Sequence, residues 1–276
     1  MVQTDLLLDP FGTRFAHVLT AARVAEEAGF DGIWTWDHLA GSVHRATGVL
    51  ECWTVLSALA VATSRVALGP LVLNVANRHP GVVAVMAATL QEVSGGRLLL
   101  GLGAGGGAET PYAAEQEALG RPVPADPARR RQVEEMAACL RRIWTGRTGA
   151  AAPTGDALRA ASGFARPEPL PPIVIGGFGP KMAELAGRVG DGINAPAGPD
   201  LAGLLDVARR ARGEAGGDPD RFLVTATAGL EARWLDPGSR DRARMATMGV
   251  QRMILFARPD NPTAIERAGR LLSRHR

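Results

Sequence analysis

The 276-residue chain is 46% hydrophobic and 21% charged, a globular balance that excludes a disordered or low-complexity protein. A formal net charge of only +3 along the chain argues against a nucleic-acid surface, and Lys181 is its one lysine. Asp5 and Asp9 interrupt the N-terminal apolar run, no stretch reaches the ~20 apolar residues of a membrane helix, and Cys52 and Cys139 lack metal or disulfide-framework spacing.

Those exclusions lead to an expectation of a cytoplasmic protein with no metal site. Short β-type runs then alternate with helical ones. Residues 4–8 read as a first strand. Phe15, Val18, Leu19, Ala22 and Ala25 recur at helical spacing within 13–28, with Gly29 at the C-cap position. Residues 31–36 form a second strand, 50–63 a helix and 66–73 a third strand. Pro80 opens a helix that runs through Ser94 and ends at Gly95-Gly96. Residues 97–101 are the fourth strand, and 127–144 form an amphipathic helix. The Gly-, Ala- and Pro-rich segment 145–171 reads as a surface loop insertion. Strands at 173–175, 191–195, 222–228 and 252–257 follow, with helices at 182–189 and 200–215 and around the last strand.

Several of these eight strands are continuously apolar, as suits burial on both faces. Their alternation with helices predicts a single-domain (β/α)8 TIM barrel over 1–276, with an open doubly wound sheet as the competitor. Barrel chemistry gathers at the C-terminal ends of the strands.

Trp34-Thr35-Trp36-Asp37-His38 closes the second strand. His38 suits proton exchange near neutral pH, and Asp37 is placed to orient its ring; the plain alternative is a loop cap. His79-Pro80, after the third strand, reads as a helix entry. The fourth strand runs into Gly101-Leu102-Gly103-Ala104-Gly105-Gly106-Gly107, where glycine permits close approach of backbone to ligand. The spacing is wrong for a dinucleotide fingerprint, and a flexible loop is the alternative. Gly176-Gly177-Phe178-Gly179 precedes Lys181 and a helix, a natural phosphate site.

Several stretches keep a common order and spacing: Glu26 to Trp34, Asp37-His38, Leu68 to Val72, Arg78-His79-Pro80, Ser94 to Leu98, Gly101 to Gly105, Glu115 with Leu119-Gly120, Pro171 to Gly177, and Gly190-Asp191-Gly192. In these the chain resembles the luciferase-like flavin and deazaflavin oxidoreductases, from about residue 20 to 195. The resemblance implies a (β/α)8 barrel with the cofactor ring across the strand ends. It implies a non-prolyl cis peptide at Leu71–Val72 behind the ring, and a phosphate loop at Gly176, Gly177, Phe178 and Gly179. Leu71, Val72, Asn74, Gly103, Gly105 and Gly106 complete the expected cofactor-binding set.

His38, with Asp37, is expected to handle the proton in the chemical step. The glucose-6-phosphate dehydrogenases of this family carry an acid where this chain has Gly106, and Glu109 is the candidate replacement. They also carry tryptophan at Ser42 and threonine and lysine near Pro196 and Pro199, so their activity is not expected here. Coenzyme F420 is the expected cofactor, favoured by the Trp-x-Trp-Asp-His stretch and the short chain. The alternatives are an FMN-dependent monooxygenase fed by a partner reductase and a non-catalytic flavin-binding protein. The expected partners are a small-molecule substrate, a flavin or F420 reductase and a second copy in a homodimer.

Overall fold

Leu6, Leu7 and Leu8 are all buried because β1 (Gln3–Leu8) lies between two parallel neighbours, β2 (Gly32–Thr35) and β9 (Arg252–Ala257). This computed structural model describes residues 2–146 and 163–273. Between β1 and β9 the strands are β3 (Ala67–Pro70), β4 (Leu73–Asn74), β5 (Leu100–Gly103), β6 (Ile173–Gly176), β7 (Gly192–Pro196) and β8 (Leu223–Gly229). All pair in parallel, in the order β3-β2-β1-β9-β8-β7-β6-β5-β4. The sheet closes on itself where the Leu68 N–H donates to Arg97 O and the Leu99 N–H to Leu68 O, both at 2.9 Å. The result is the expected (β/α)8 barrel.

The helices are α1 (Phe15–Glu27), α2 (Cys52–Ala62), α3 (Pro80–Ser94), α4 (Ala113–Ala118), α5 (Asp126–Thr145), α6 (Pro180–Val189), α7 (Leu201–Glu214), α8 (Ala232–Leu235), α9 (Arg240–Thr247) and α10 (Pro262–Leu272). Their apolar faces pack on the outside of the sheet in the main core, which includes Val18, Leu56, Val83, Leu140, Ala186 and Ile265. None of them is long and apolar enough to cross a membrane, among the described residues. His79 caps α3, its Nδ1 accepting from the Gly81 N–H at 3.1 Å with Pro80 at the first helical position, so His79-Pro80 is a helix entry. Most of the expected insertion at 145–171 lies outside the described residues.

Two strand readings need correction. The third strand is in two pieces, β3 and β4, and the cis peptide bond Leu71–Val72 lies between them. The fourth begins at Leu100 rather than Arg97. The Arg97 side chain is engaged elsewhere, donating to the Ala60, Thr63 and Val66 carbonyls around the end of α2.

Inside the barrel, side chains stack in layers. At the N-terminal end, Asp5 accepts from Arg252 Nε and Nη2, each at 2.7 Å, and from Trp34 Nε1 at 2.8 Å. Burial pushes the Asp5 carboxyl above its usual range despite the facing Arg252 guanidinium. Above that layer, Leu7, Trp34, Leu71 and Ile254 form a second, smaller core with Trp36, Val72 and Leu99 against it. Trp34 fits because Gly69 faces it: a Cβ there would lie 2.5 Å from the indole Cζ3. The lumen is thus filled from below, and only its upper end is left for chemistry.

Candidate active site

The loops that follow β1, β2, β4, β5 and β6 all emerge at the upper end. Asp37, just past β2, is 4% exposed and fully committed. Its carboxylate accepts from Arg78 Nη1 at 2.8 Å and Nη2 at 2.9 Å, the Asn74 N–H at 2.9 Å and Asn77 Nδ2 at 3.3 Å. Arg78 also pairs with Glu51, which caps α2 by accepting from the Trp53 and Thr54 N–H groups. Arg78 is thereby held more firmly protonated than usual: burial opposes its charge, but the Asp37 and Glu51 contacts outweigh burial. This network fastens the β2 and β4 loops together.

Asp37 therefore does not orient His38, contrary to the sequence expectation. The residue that does is Glu115 on α4, whose Oε2 lies 3.1 Å and Oε1 3.2 Å from His38 Nδ1. The Glu115 Oε1 also accepts the N–H groups of Leu39 and Ala40, each at 3.0 Å. An ionised carboxylate can only accept, so the imidazole Nδ1 carries the hydrogen, and Nε2 is the ring atom left to take up or give a proton. Nε2 has no hydrogen-bond partner among the described residues, and the side chain is 19% exposed. Glu109 is exposed and makes no hydrogen bond or ion pair among the described residues, so nothing ties it to His38.

The glycines serve differently from the expected direct approach to a ligand. Across the cis bond, the Val72 side chain enters the barrel and occupies the space that Gly103 and Gly176 leave. A Cβ at 103 would overlap Val72 Cγ2, and one at 176 would sit 2.8 Å from Val72 Cγ1. Gly105 has φ +69° and receives the Asn74 side chain, with Asn74 Oδ1 2.6 Å from where its Cβ would be. Gly106 gives its space to Thr110 and Tyr112, each 2.5 Å from a Cβ there. Arg129 of α5 pins this loop, donating to Gly105 O at 2.5 Å and Ala104 O at 3.3 Å.

The loop before α6 is partly as expected. The Gly177 N–H is already bonded to Asn194 O at 3.2 Å, and a Cβ at 177 would overlap Met182 Cβ. Gly177 is therefore a packing glycine. The N–H groups of Phe178, Gly179 and Lys181 have no acceptor among the described residues, and a Cβ at Gly179 would meet nothing within 4 Å. These amides stand at the positive end of a ten-residue helix. Phe178 beside them is 87% exposed. The residues present fit a flat, phosphate-bearing cofactor: an amide cradle for the anion, Phe178 to cover it, and Val72 as an apolar wall. No group of three His, Cys, Asp or Glu residues could hold a metal ion, among the described residues.

Around His38 stand rings that sequence reasoning did not connect. Phe11 lies 4.4 Å from His44 and 5.3 Å from His38, between ring centroids. Trp36 stacks on His44 at 5.7 Å with 3° between planes, and Phe256 adjoins Trp36 at 5.6 Å. Tyr112 is 5.1 Å from His38. The one signal of this grouping in the sequence was Glu115 itself, which the family resemblance included with Leu119-Gly120; α4 buries it against His38.

A family model described as luciferase-like monooxygenase matches residues 3–268. An F420-dependent glucose-6-phosphate dehydrogenase of Beutenbergia cavernae is 32% identical over 225 residues, 81% of this chain and 65% of that protein. A 5,10-methylenetetrahydromethanopterin reductase of Archaeoglobus fulgidus is 31% identical over 252 residues, 90% of this chain and 68% of that protein. The chain thus spans about two thirds of the length of these curated relatives. Two solved structures share the fold at low identity. An F420-dependent secondary alcohol dehydrogenase in complex with an F420-acetone adduct has a TM-score of 0.79 at 19% identity, covering 98% of both chains. The oxygenating constituent of 3,6-diketocamphane monooxygenase from Pseudomonas putida, in complex with FMN, has a TM-score of 0.73 at 18% identity, covering 99% of this chain and 97% of that one.

Proposed function

Since the chain belongs to the luciferase-like monooxygenase family, we propose that it is an oxidoreductase that uses coenzyme F420 to move a hydride to or from a small organic substrate. The observation that carries this reading is His38, tied at Nδ1 to Glu115 and open at Nε2. When bound, the deazaflavin supplies a two-electron hydride acceptor or donor. A hydride that leaves a carbon bearing a hydroxyl needs a base for the hydroxyl proton, and His38 Nε2 is that base; in reverse it returns the proton. Glu115 holds the tautomer and balances the charge that His38 acquires. Mere storage of a flavin would need neither residue. The Phe178, Gly179 and Lys181 amides would hold the cofactor phosphate, and Val72 would back its ring.

Relatives named for F420 stand behind the choice of deazaflavin over FMN. Anaerobic titration with each cofactor, followed by fluorescence, tests that choice: tighter binding of F420 is expected, and equal or tighter FMN binding would move the chain to the flavin monooxygenase reading with a partner reductase. We also propose that the outer faces of α2 and α3 dock a second copy of the chain. Val61, Val82 and Val93 are exposed there beside an apolar groove of about 290 Å³ lined by Trp53, Val85 and Met86. Light scattering after Val61→Glu tests the dimer.

A further inference from the structure

The geometry points to a substrate class. We infer that the substrate is a neutral, flat, largely apolar molecule with one oxygen acceptor, held on the open face of a box of aromatic rings that touch one another, with Tyr112 Oη donating to that oxygen. The inference rests on the oxidoreductase reading only for which atoms react.

The box comes from five places in the chain that share nothing in sequence. Phe11 follows β1, Trp36 follows β2, His44 ends the 3-10 turn Gly41–His44, Tyr112 precedes α4, and Phe256 lies near the end of β9. Phe11 is buried and forms the back, whereas Phe256 is 40% exposed and His44 is also open to solvent. Tyr112 bridges the two imidazoles, 5.1 Å from His38 and 5.7 Å from His44. It comes this close because residue 106 is glycine: any Cβ there would lie 2.5 Å from Tyr112 Cβ. The same crowding leaves no room for an acidic side chain at 106.

The polar groups of the box are few. The Tyr112 hydroxyl has no hydrogen-bond partner among the described residues, although its ring is half-buried. His38 offers Nε2 beside it. Glu115 is consumed by His38, Leu39 and Ala40, Arg78 by Asp37 and Glu51, and Arg129 by the loop carbonyls and Asp126. Aromatic faces with one phenol, the His38 imidazole held by Glu115 and the solvent-facing imidazole of His44 match a single oxygen on an apolar skeleton. They do not match the many hydroxyls of a sugar, nor a phosphate, which calls for paired cations. Arg45, exposed directly after His44, and Arg258, two residues past Phe256 and paired with Asp260, are the cations by which a phosphate-bearing substrate could be held instead.

The test is equilibrium binding to the F420-loaded protein, with acetophenone and cyclohexanone as probes against glucose 6-phosphate. The ketones should bind and the sugar phosphate should not. Tyr112 is the only tyrosine of the chain, so an ultraviolet resonance Raman shift of the phenol ring on ketone binding reports this residue alone. Tyr112→Phe removes one hydrogen bond; it should abolish that shift and weaken ketone binding about three- to tenfold with the F420 affinity unchanged. Binding of glucose 6-phosphate with no ketone binding, or ketone affinity untouched by Tyr112→Phe, overturns the inference. Failure of F420 to bind overturns the cofactor reading instead; the same titrations on FMN-loaded protein then decide the box.

Discussion

His38 Nδ1 lies 3.1 Å from Oε2 of Glu115, a residue 77 positions further along the chain. One carboxylate thus sets both the ring and the turn at Leu39 and Ala40 that carries it. His38→Gln keeps hydrogen-bonding size but exchanges no proton. Turnover should fall about 10²–10⁴-fold while F420 affinity stays within about twofold, as steady-state kinetics and fluorescence titration would report. Normal turnover with weak binding would assign His38 to holding the cofactor.

Glu115→Gln separates positioning from proton transfer. The amide oxygen would turn to the Leu39 and Ala40 N–H groups, leaving an N–H donor against Nδ1 and favouring the wrong tautomer. We expect kcat to drop about 10–100-fold with KM little changed, by analogy with partners that orient metal-bound histidines. Unchanged kcat would show that the tautomer is not set by this contact.

Gly177 and Gly179 should part company. Gly177→Val forces a Cβ onto Met182 and should lower the melting temperature, whereas Gly179→Val meets no atom and should melt normally. Only the second is a clean probe of the phosphate cradle, and its F420 affinity should fall at least tenfold. Unaltered affinity would reduce the loop to a turn.

Asp37 and Arg78 form a pair with side-chain exposures of 0% and 13%. Asp37→Ala leaves Arg78 to Glu51 alone and takes the acceptor from the Asn74 N–H, so it should cost about 3 kcal/mol in chemical denaturation. Glu51, the second partner, is pushed up by burial but held below its ordinary 4.5 by hydrogen bonds from Thr54, Trp53 and Arg78. A depressed carboxyl gives stability that is full above the unfolded value and lost as pH falls through the folded one. Melting curves from pH 6 to pH 3 should therefore steepen below about 4.5 in the wild type and less so in Glu51→Gln.

Val72 and Gly103 can be tested as a pair. Gly103→Ala should destabilise the barrel because its Cβ overlaps Val72 Cγ2, and adding Val72→Ala should recover part of the loss. Purely additive losses would mean that the two do not share space.

The sequence carried the barrel because hydrophobic periodicity is local. Most strands and helices are written in a dozen residues; the break at Leu71–Val72 needed the family resemblance, the fourth strand starts three residues later than read, and the short α4 carries too little periodicity to be read. The site was less legible. The proton carrier His38 stood out at a strand end, but its partner did not. Asp37 is adjacent in sequence, yet neighbouring residues near a strand end point apart; the carboxylate that reaches His38 comes from a helix two strands away. Gly103, Gly106, Gly176 and Gly177 were visible as glycines, whereas what fills their space, Val72, Tyr112 or Met182, depends on packing that no single segment encodes.

Lys181 stands exposed at the first turn of α6, beside the amides proposed to hold phosphate, and the chain has no other lysine. Amine-directed chemistry on internal side chains is therefore confined to one address. A dye coupled there would sit at the rim of the mouth and sense occupancy of the loop without any engineered cysteine. The same residue would tether the barrel to a surface in a single orientation, with its active end facing the support, so amine coupling is the attachment to avoid when turnover of immobilised protein is wanted.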